Sequence, residues 1–428
     1  MGEIAAGVAA CCLLAACGST VSSFGINVAS NNSGGSNTVS DGVYRDAVVG
    51  GLHYVSGPNE GTTSNAGVFK FQPGQSVTFS IGGVTLGSAS GAIASVTPLQ
   101  FFQNGTINTP GVINMVRFLI LLDSDGDPSN GFTISPGVQE KAANWAQIDF
   151  TVPQEDFAAA LIGANIVSDV STADSWATVP RLWQDANGTP LIPDASFAQS
   201  HIRNTLTCLQ SGIFQGQISG EQAGIVGLYI DPKSGLVNGF VRYNDNTSVL
   251  MALSGSSPVD FGTHPPTVSG VTNLSRFNIS FTNLDQIDGT TTSSDFNSQT
   301  SGTLSGGRAG GELQAVIRIS GHHTQSGKDA GVFTLDIEAA GSGNQQVVNG
   351  KVYDMLTNTT ADVSGFLTAG TDAGTADVSF GDGDRVFTGT LNYITATISG
   401  IWNAGNGNTA FGGSDITTGT FDGTGCGL

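Results

Sequence analysis

The second half of the chain contains an internal duplication, which restricts the possible folds more than any other feature. AGIVGLYIDPKSGLVNGFVRYNDNT, which starts at Ala223, aligns with AGVFTLDIEAAGSGNQQVVNGKVYDMLTNTT, which starts at Ala330. Further on, TLSGG at Thr303 is similar to TISGI at Thr397. A repeat of this length is a structural unit of several antiparallel strands.

The composition favours short strands joined by tight turns. Glycine accounts for 61 of the 428 residues, and charged residues for only 11%. Asn-Gly, Asp-Gly and Ser-Gly pairs recur at strand spacing, as hairpin turns require. We therefore predict a mainly β chain in which a duplicated antiparallel meander, residues 207–428 with copies at about 207–318 and 319–428, forms one barrel or curved sandwich spanning both copies.

The first half predicts a mixed α/β module over residues 41–206. GVFKFQPGQSVTFSIGGVTLG alternates apolar and polar residues with the period of a strand. TPGVINMVRFLILLD then changes to helical spacing, with Thr109 as the N-cap, Pro110 at the first helical position and one apolar face. Further helices are expected in QEDFAAALIGANIV and ASFAQSHIRNTLTCL.

The N-terminus, MGEIAAGVAACCLLAACGST, indicates export. Its apolar run is too short to span a bilayer but suits a signal peptide, predicted at 1–16. Leu14-Ala15-Ala16-Cys17 resembles the lipobox of bacterial lipoproteins, which implies a lipid on Cys17 and, because Gly18 follows, delivery to the outer membrane. An ordinary secretory signal is the alternative, and Glu3 without Lys or Arg departs from both patterns. Residues 17–40 are expected to be a lipidated flexible tether.

Cys208 and Cys426 are the cysteines outside this N-terminal stretch. In an oxidising compartment such a pair is expected to form a disulfide, which would tie the first strand of the β domain to the last. Two buried free thiols are the alternative. The net charge of -20 argues against a nucleic-acid partner, since phosphate binding requires a basic face.

The segment LDSDGDPSNGF predicts a calcium site. Asp123, Asp125, Asp127 and Asn130 offer hard oxygen ligands at close spacing. Pro128 at the position of the required glycine excludes an EF-hand. The alternative is a turn rich in Asp and Asn that caps a helix end.

The remaining candidate residues are interpreted as structural. His322 and His323 are expected in a solvated turn; on a strand these neighbours would point to opposite faces and could not bind one metal ion together. His201 is expected to pack or cap, GDGD at 381–384 to form a hairpin turn, and Trp402 to be buried. No nucleophile elbow, P-loop or dinucleotide fingerprint occurs in its structural context.

The order of several pieces resembles a known module. GLHYVSGPNEGTTSNAGVFKFQPGQSVTFSIGGVTLGSASG, TPLQFF, NMVRFLILLDSDGDPSNGFTI and AQSHIRNTL are together similar to an N-terminal module of Gram-negative surface lipoproteins and adhesin-like proteins. The tail GTFDGTGCGL resembles the closing strand of Gly-rich β domains on similar lipoproteins. This resemblance implies a presenting or scaffold role and supplies no catalytic residue.

Together these observations predict a non-enzymatic, outer-membrane lipoprotein, on the periplasmic or cell-surface side, that binds a surface protein or glycan. The alternatives are a secreted hydrolase acting on extracellular polymer and a lipocalin-like carrier of an apolar ligand. Large inward side chains in a barrel would fill the space that a carrier needs.

Overall fold

The computed structural model describes residues 39–427, apart from 91–94, 129–130, 174–184, 186, 188–190, 221–222, 245–247, 255–266, 273–274, 283–285, 294–300, 309–314, 339–345, 355–358, 373, 394 and 405–417. The predicted signal peptide, Cys17 and nearly all of the predicted tether lie outside this part of the chain. Among the described residues, no helix is both long and apolar enough to cross a membrane.

The strands of the N-terminal module are β1 (Ser40–Tyr44), β2 (Val49–Gly50), β3 (His53–Ser56), β4 (Asn59–Thr62), β5 (Val68–Phe71), β6 (Val77–Ile81), β7 (Val84–Ala89), β8 (Ser95–Val96) and β9 (Phe132–Thr133). They form a four-stranded, a three-stranded and a two-stranded sheet, in the orders β4-β3-β6-β7, β5-β1-β8 and β2-β9. In β5 and β6 alternate residues are buried, as the sequence period predicts.

The module's helices include all those that the sequence predicts. They are α1 (Pro110–Leu122), α2 (Pro136–Ala142), α3 (Gln154–Gly163), α4 (Ile166–Thr172) and α5 (Ala195–Gln210), with a short 3-10 helix at Pro98–Phe101. Thr109 is the N-cap residue of α1 and Pro110 its first residue, as predicted.

Helix α1 departs from the prediction of a single apolar face, because every residue from Gly111 to Leu122 is buried. Its polar side chains are satisfied internally. The Asn114 side-chain amide donates to the Phe150 carbonyl at 3.0 Å, and Arg117 Nε donates to the Pro193 carbonyl at 2.8 Å. These hydrogen bonds allow a central helix to carry an amide and a guanidinium at low cost.

The β domain consists of two separate eight-stranded antiparallel barrels, one for each copy of the repeat. The first barrel comprises β10 (Gly212–Ile218), β11 (Gly224–Ile230), β12 (Val237–Tyr243), β13 (Ser248–Ser254), β14 (Thr267–Val271), β15 (Ser275–Phe281), β16 (Gln286–Ser293) and β17 (Ser301–Arg308). The second comprises β18 (Ala315–Gln325), β19 (Lys328–Glu338), β20 (Gln346–Asp354), β21 (Thr359–Ala369), β22 (Thr375–Gly381), β23 (Arg385–Asn392), β24 (Thr397–Ala404) and β25 (Thr418–Gly427).

Each barrel closes by pairing its first strand with its last, β10 with β17 and β18 with β25. The prediction of a barrel is confirmed, but a single barrel spanning both copies is wrong. Eight strands suffice to close a barrel around side chains, so one copy needs no strand from the other. The expected boundary between residues 318 and 319 falls inside β18.

The repeat alignment is confirmed at its start. Ala223 directly precedes β11, and Ala330 lies within β19. Each of these strands is the second of its barrel. The similarity of TLSGG to TISGI does not reflect equivalent positions in the two barrels. Thr303 lies on β17, the eighth strand of the first barrel, whereas Thr397 begins β24, the seventh strand of the second.

The inward side chains of each barrel form a separate hydrophobic core. Aromatic rings pack directly on backbone in the second barrel. A Cβ added to Gly400 would lie 2.6 Å from Cε1 of Phe421, so only glycine fits there.

The Cys208–Cys426 disulfide joins the module to the second barrel, with the two Cα atoms 5.8 Å apart. The predicted pair is confirmed, but Cys208 lies in α5 and not on the first strand of the β domain. Beside it, Arg318 pairs with Asp336 through Nε and Oδ1 at 2.6 Å and donates from Nη1 to the Leu209 carbonyl at 3.0 Å. The second barrel is therefore fastened to the end of α5 by covalent and charged contacts.

Candidate functional site

The predicted calcium loop follows α1 directly. Asp123 is fully buried, and its Oδ1 accepts the Thr133 N–H at 2.9 Å. Asp125 Oδ1 accepts the Asp127 N–H at 3.0 Å, which forms a local turn at Gly126 with its φ of 68°. Asp123 therefore accepts a backbone N–H from β9, and Asp125 accepts one within the loop.

Asn130, the fourth predicted ligand, lies outside the described residues. In the part of the chain that the structure describes, no three His, Cys, Asp or Glu side chains are grouped so that they could hold one metal ion. Calcium binding at Asp123, Asp125, Asp127 and Asn130 stays a prediction.

A cluster of titratable side chains occupies one end of the second barrel. We call it the Arg385 cluster, made of Arg385, Asp354, Asp382 and His323. Arg385 Nη1 lies 3.1 Å from Asp354 Oδ2, and Arg385 Nη2 lies 2.7 Å from Asp382 Oδ2. Asp382 Oδ1 also accepts the backbone N–H of Arg385 at 2.7 Å. One guanidinium therefore holds two carboxylates across the mouth of the barrel.

The predicted hairpin turn at GDGD is confirmed, since β22 ends at Gly381 and β23 begins at Arg385. Its role in charge pairing was not predicted. The sequence carries a weak signal for it, because Arg385 follows the acidic turn directly and a short turn brings i and i+3 together. Asp354 comes from a distant hairpin, so no local pattern could have identified it.

His323 points into the barrel and is 1% exposed. Its Nε2 lies 3.2 Å from the Tyr353 carbonyl oxygen, and its ring packs edge-on against Phe387 and Trp402 at 6.2 and 6.0 Å between centres. Burial is the main cause that lowers the pKa of His323 below its ordinary value, and the Arg385 charge lowers it further. A neutral imidazole that faces a carbonyl and two aromatic rings is placed for packing.

His322, the adjacent residue, points to the opposite face. Its ring lies 5.1 Å from that of Tyr229 on the first barrel. The expected solvated turn is wrong, because both histidines lie on β18. The rule that strand neighbours face opposite sides holds, so the pair spans one barrel wall.

The barrel lumens are occupied by the protein's own side chains. In the second barrel Phe380 stacks on Phe387 at 4.7 Å, and Trp402, predicted to be buried, donates from Nε1 to the Thr324 carbonyl at 2.8 Å. Among the described side chains, the hydrophobic core of the first barrel contains Phe214, Ile218, Val226, Leu228, Ile230, Val237, Val241, Tyr243, Val268, Phe277, Ile279, Phe281, Ile287 and Leu304. Large inward residues of this kind fill the space that an apolar ligand would need.

The outer faces of the barrels differ from the lumens in carrying short polar side chains with a few exposed apolar ones. Val347 on β20 lies directly opposite Phe366 on β21, and Phe366 is 52% exposed. Ile401 on β24 is 54% exposed. Among the described side chains on strands β14, β16 and β17 of the first barrel, the exposed hydroxyl residues are Thr267, Ser269, Thr290, Thr292, Ser301, Thr303 and Ser305.

Comparison with known proteins assigns no family. No family model matches the chain, and no curated protein matches it. One similar solved structure is a protein of unknown function from the DUF3598 family of Nostoc punctiforme, with 11% sequence identity and a TM-score of 0.18. The match covers 52% of this chain and 98% of that one. So low a TM-score supports no inference about function.

Proposed function

We propose that this protein is an extracytoplasmic lipoprotein, anchored to the outer membrane through Cys17, that binds a surface protein or glycan without catalysing a reaction. The filled lumens of the two barrels carry this proposal, because they leave the outer faces as the surface available to a partner. The carrier alternative loses support for the same reason.

The hydrolase alternative has little support in the Arg385 cluster. Both carboxylates are paired with Arg385, and His323 makes its hydrogen bond to a backbone carbonyl. General acid–base catalysis requires a group within reach of a substrate proton, with a pKa near the working pH. Asp354 and Asp382 already bind the Arg385 guanidinium, so neither carboxylate is placed to reach a substrate proton.

The Val347–Phe366 pair is the part of the outer face best suited to a contact. Aromatic residues in the centre of an interface often contribute 2 kcal/mol or more, roughly a thirtyfold change in affinity. The neighbouring outward residues are Ser364 and Ser379, which leave the ring accessible. An exposed aromatic among short hydroxyl side chains suits stacking on a sugar ring or insertion into a protein pocket.

Binding to arrays of defined glycans and purified extracellular matrix proteins tests the proposal. The soluble chain from residue 17 with Cys17→Ser is compared with the same chain carrying Phe366→Ser. Ile162→Ser is the matched control, since Ile162 lies in α3 of the module and is 61% exposed. We expect saturable binding that weakens at least tenfold in Phe366→Ser and is unchanged in Ile162→Ser.

Equal binding by both variants would reject the contact surface, and release of reducing sugars or peptides from the arrayed polymers would favour the hydrolase. Metabolic labelling with a palmitate analogue tests the anchor separately. Wild type should be labelled and membrane-bound, whereas Cys17→Ser should be unlabelled and soluble.

A further inference from the structure

A buried turn after β1 brings a carboxyl group against an imidazole. Arg45 and Val48 form an isolated antiparallel bridge, and Asp46 between them is 0% exposed. Ala47 has a φ of 45°, in the left-handed region that residues other than glycine rarely adopt. Its N–H donates to Thr205 Oγ1 on α5 at 3.2 Å. The strained turn is thus held against one face of α5.

His201 lies one helical turn before Thr205 and meets Asp46 directly. Its Nε2 is 3.5 Å from Asp46 Oδ1 and 3.5 Å from the Asp46 carbonyl oxygen. Both carboxyl oxygens are buried, and neither accepts a closer hydrogen bond from any described residue. Phe132 covers the imidazole, with 5.2 Å between ring centres. An ionised Asp46 beside a neutral His201 would be a buried, uncompensated charge.

The other titratable or charged groups of the turn do not neutralise Asp46. Burial raises the pKa of Tyr44, and the charge of Asp46 raises it further, so the phenol stays neutral. Arg45 directs its Nη1 to the Ala315 carbonyl at 2.7 Å, at the first residue of the second barrel. Burial raises the pKa of Asp46 well above its ordinary value and lowers that of His201 to about 4.

We propose that Asp46 and His201 share one proton inside the module, and that loss of this proton opens the turn through which Arg45 docks the module on the second barrel. The proton lies between the carboxyl oxygen and Nε2, so the pair is neutral overall. When it leaves for water, the buried carboxylate can be hydrated only if the turn opens. The disulfide on the same helix keeps module and barrel joined while the contact opens.

The pH range in which the turn opens follows from the number of protons that the pair holds in the closed and open states. In the open turn the ordinary pKa values of Asp and His, about 3.9 and 6.5, apply. Between these two pH values the Asp46–His201 pair holds one proton in both the open and the closed state. The opening equilibrium therefore does not depend on pH in this range. Above about pH 6.5 only the closed state keeps the proton, and the opening equilibrium constant rises tenfold per pH unit.

Hydrogen exchange of peptides containing Ala47, corrected for intrinsic rates, measures this opening in the disulfide-bonded chain. We expect an increase of roughly thirty- to a hundredfold from pH 6.5 to 8.5 in wild type. Asp46→Asn keeps the shape of the side chain but has no carboxyl proton to lose, so its opening should not rise over this range. Asp149→Asn, a substitution of an exposed aspartate in the same module, should behave as wild type.

Opening that is independent of pH in wild type, or that rises equally in Asp46→Asn, overturns the proposal. His201→Gln provides a second test if Asp46→Asn does not fold. Without the imidazole, the closed state alone holds a proton from about pH 4 upward, so opening should already rise tenfold per unit between pH 4.5 and 6.5. A flat profile there also contradicts a shared proton.

Discussion

The two barrels come from the same repeat and share strand order, yet they are stabilised differently. Strands of the first barrel are five to eight residues long, whereas those of the second are seven to eleven. In the described residues, the shortest ladder of the first barrel, β13–β14, has three residue pairs, and the shortest of the second, β21–β22, has six. Across its described residues, the second barrel therefore has no strand pair joined by as few residues as β13 and β14.

The hydrophobic cores of the two barrels also differ in a way that favours the stability of the second barrel. The second barrel contains a cluster of touching aromatic rings, Phe333, Phe380, Phe387, Phe421 and Trp402, with the Arg385 cluster at its mouth. Among the described side chains, the core of the first barrel is mainly aliphatic. The second barrel alone is also fastened to α5 by the disulfide. One sequence repeat thus specifies strand number and order, while side chains and fastening set how stable each copy is.

Removal of the disulfide is expected to have the largest effect on this difference. Cys208 and Cys426 are separated by 218 residues, for which the chain-entropy model gives about 5 kcal/mol of stabilisation. Cys208→Ala with Cys426→Ala should lower the opening free energy of β19 peptides in native-state hydrogen exchange much more than that of the aligned β11 peptides. An equal decrease in both would show that the bridge does not favour the second barrel.

Truncation of a core aromatic should come next. Phe387→Ala should destabilise the second barrel by about 3 to 5 kcal/mol, since a large cavity opens among aromatic rings. Phe277→Ala on β15 is the matched variant, because both residues are buried on the sixth strand of their barrels. We expect each loss to be confined to its own barrel in urea-dependent hydrogen exchange. A loss shared between the barrels would mean that they unfold as one unit.

Calcium should stabilise the N-terminal module and leave both barrels unchanged. If the ion binds only the folded loop, stability should rise by about 2.7 kcal/mol when free calcium is a hundredfold above its dissociation constant. Asp125→Ala should abolish the response, whereas Asp149→Ala, which removes a similar local turn with Thr151, should not. Calorimetry in chelator, magnesium and calcium decides it, and identical melting in all three contradicts a calcium site.

Acidification should produce the smallest difference between the barrels. The pKa of His323 is lowered in the folded state, so its stabilising effect is present above the unfolded value of about 6.5 and is lost as pH falls below it. From pH 7 to 5 the second barrel should therefore lose stability relative to the first. His323→Gln should abolish this acid-dependent loss of stability, whereas the control His322→Gln should retain it. If the loss persists in His323→Gln, another titratable group causes it.

Local patterns in the sequence predicted the elements well and their assembly less well. Alternation of period two identified strands such as β5 and β6, and Thr109-Pro110 marked the start of α1. The single apolar face expected for α1 was wrong because burial of Asn114 and Arg117 depends on carbonyls from distant loops. Likewise, the solvated turn expected at His322 and His323 failed, since two neighbouring strands convert that segment into a barrel wall.

The sequence by itself determined the β-rich class, the duplication, the hairpin turns and the cysteine pair, because each depends on residue type, spacing or residues close in the chain. Only the tertiary structure decided that each copy closes separately, since closure requires pairing between ends that lie far apart, such as Phe214 with Arg308. It also decided where charge is buried. Asp46 meets His201, and Asp354 meets Arg385, only because folding brings distant segments together in a medium where unpaired charge is costly.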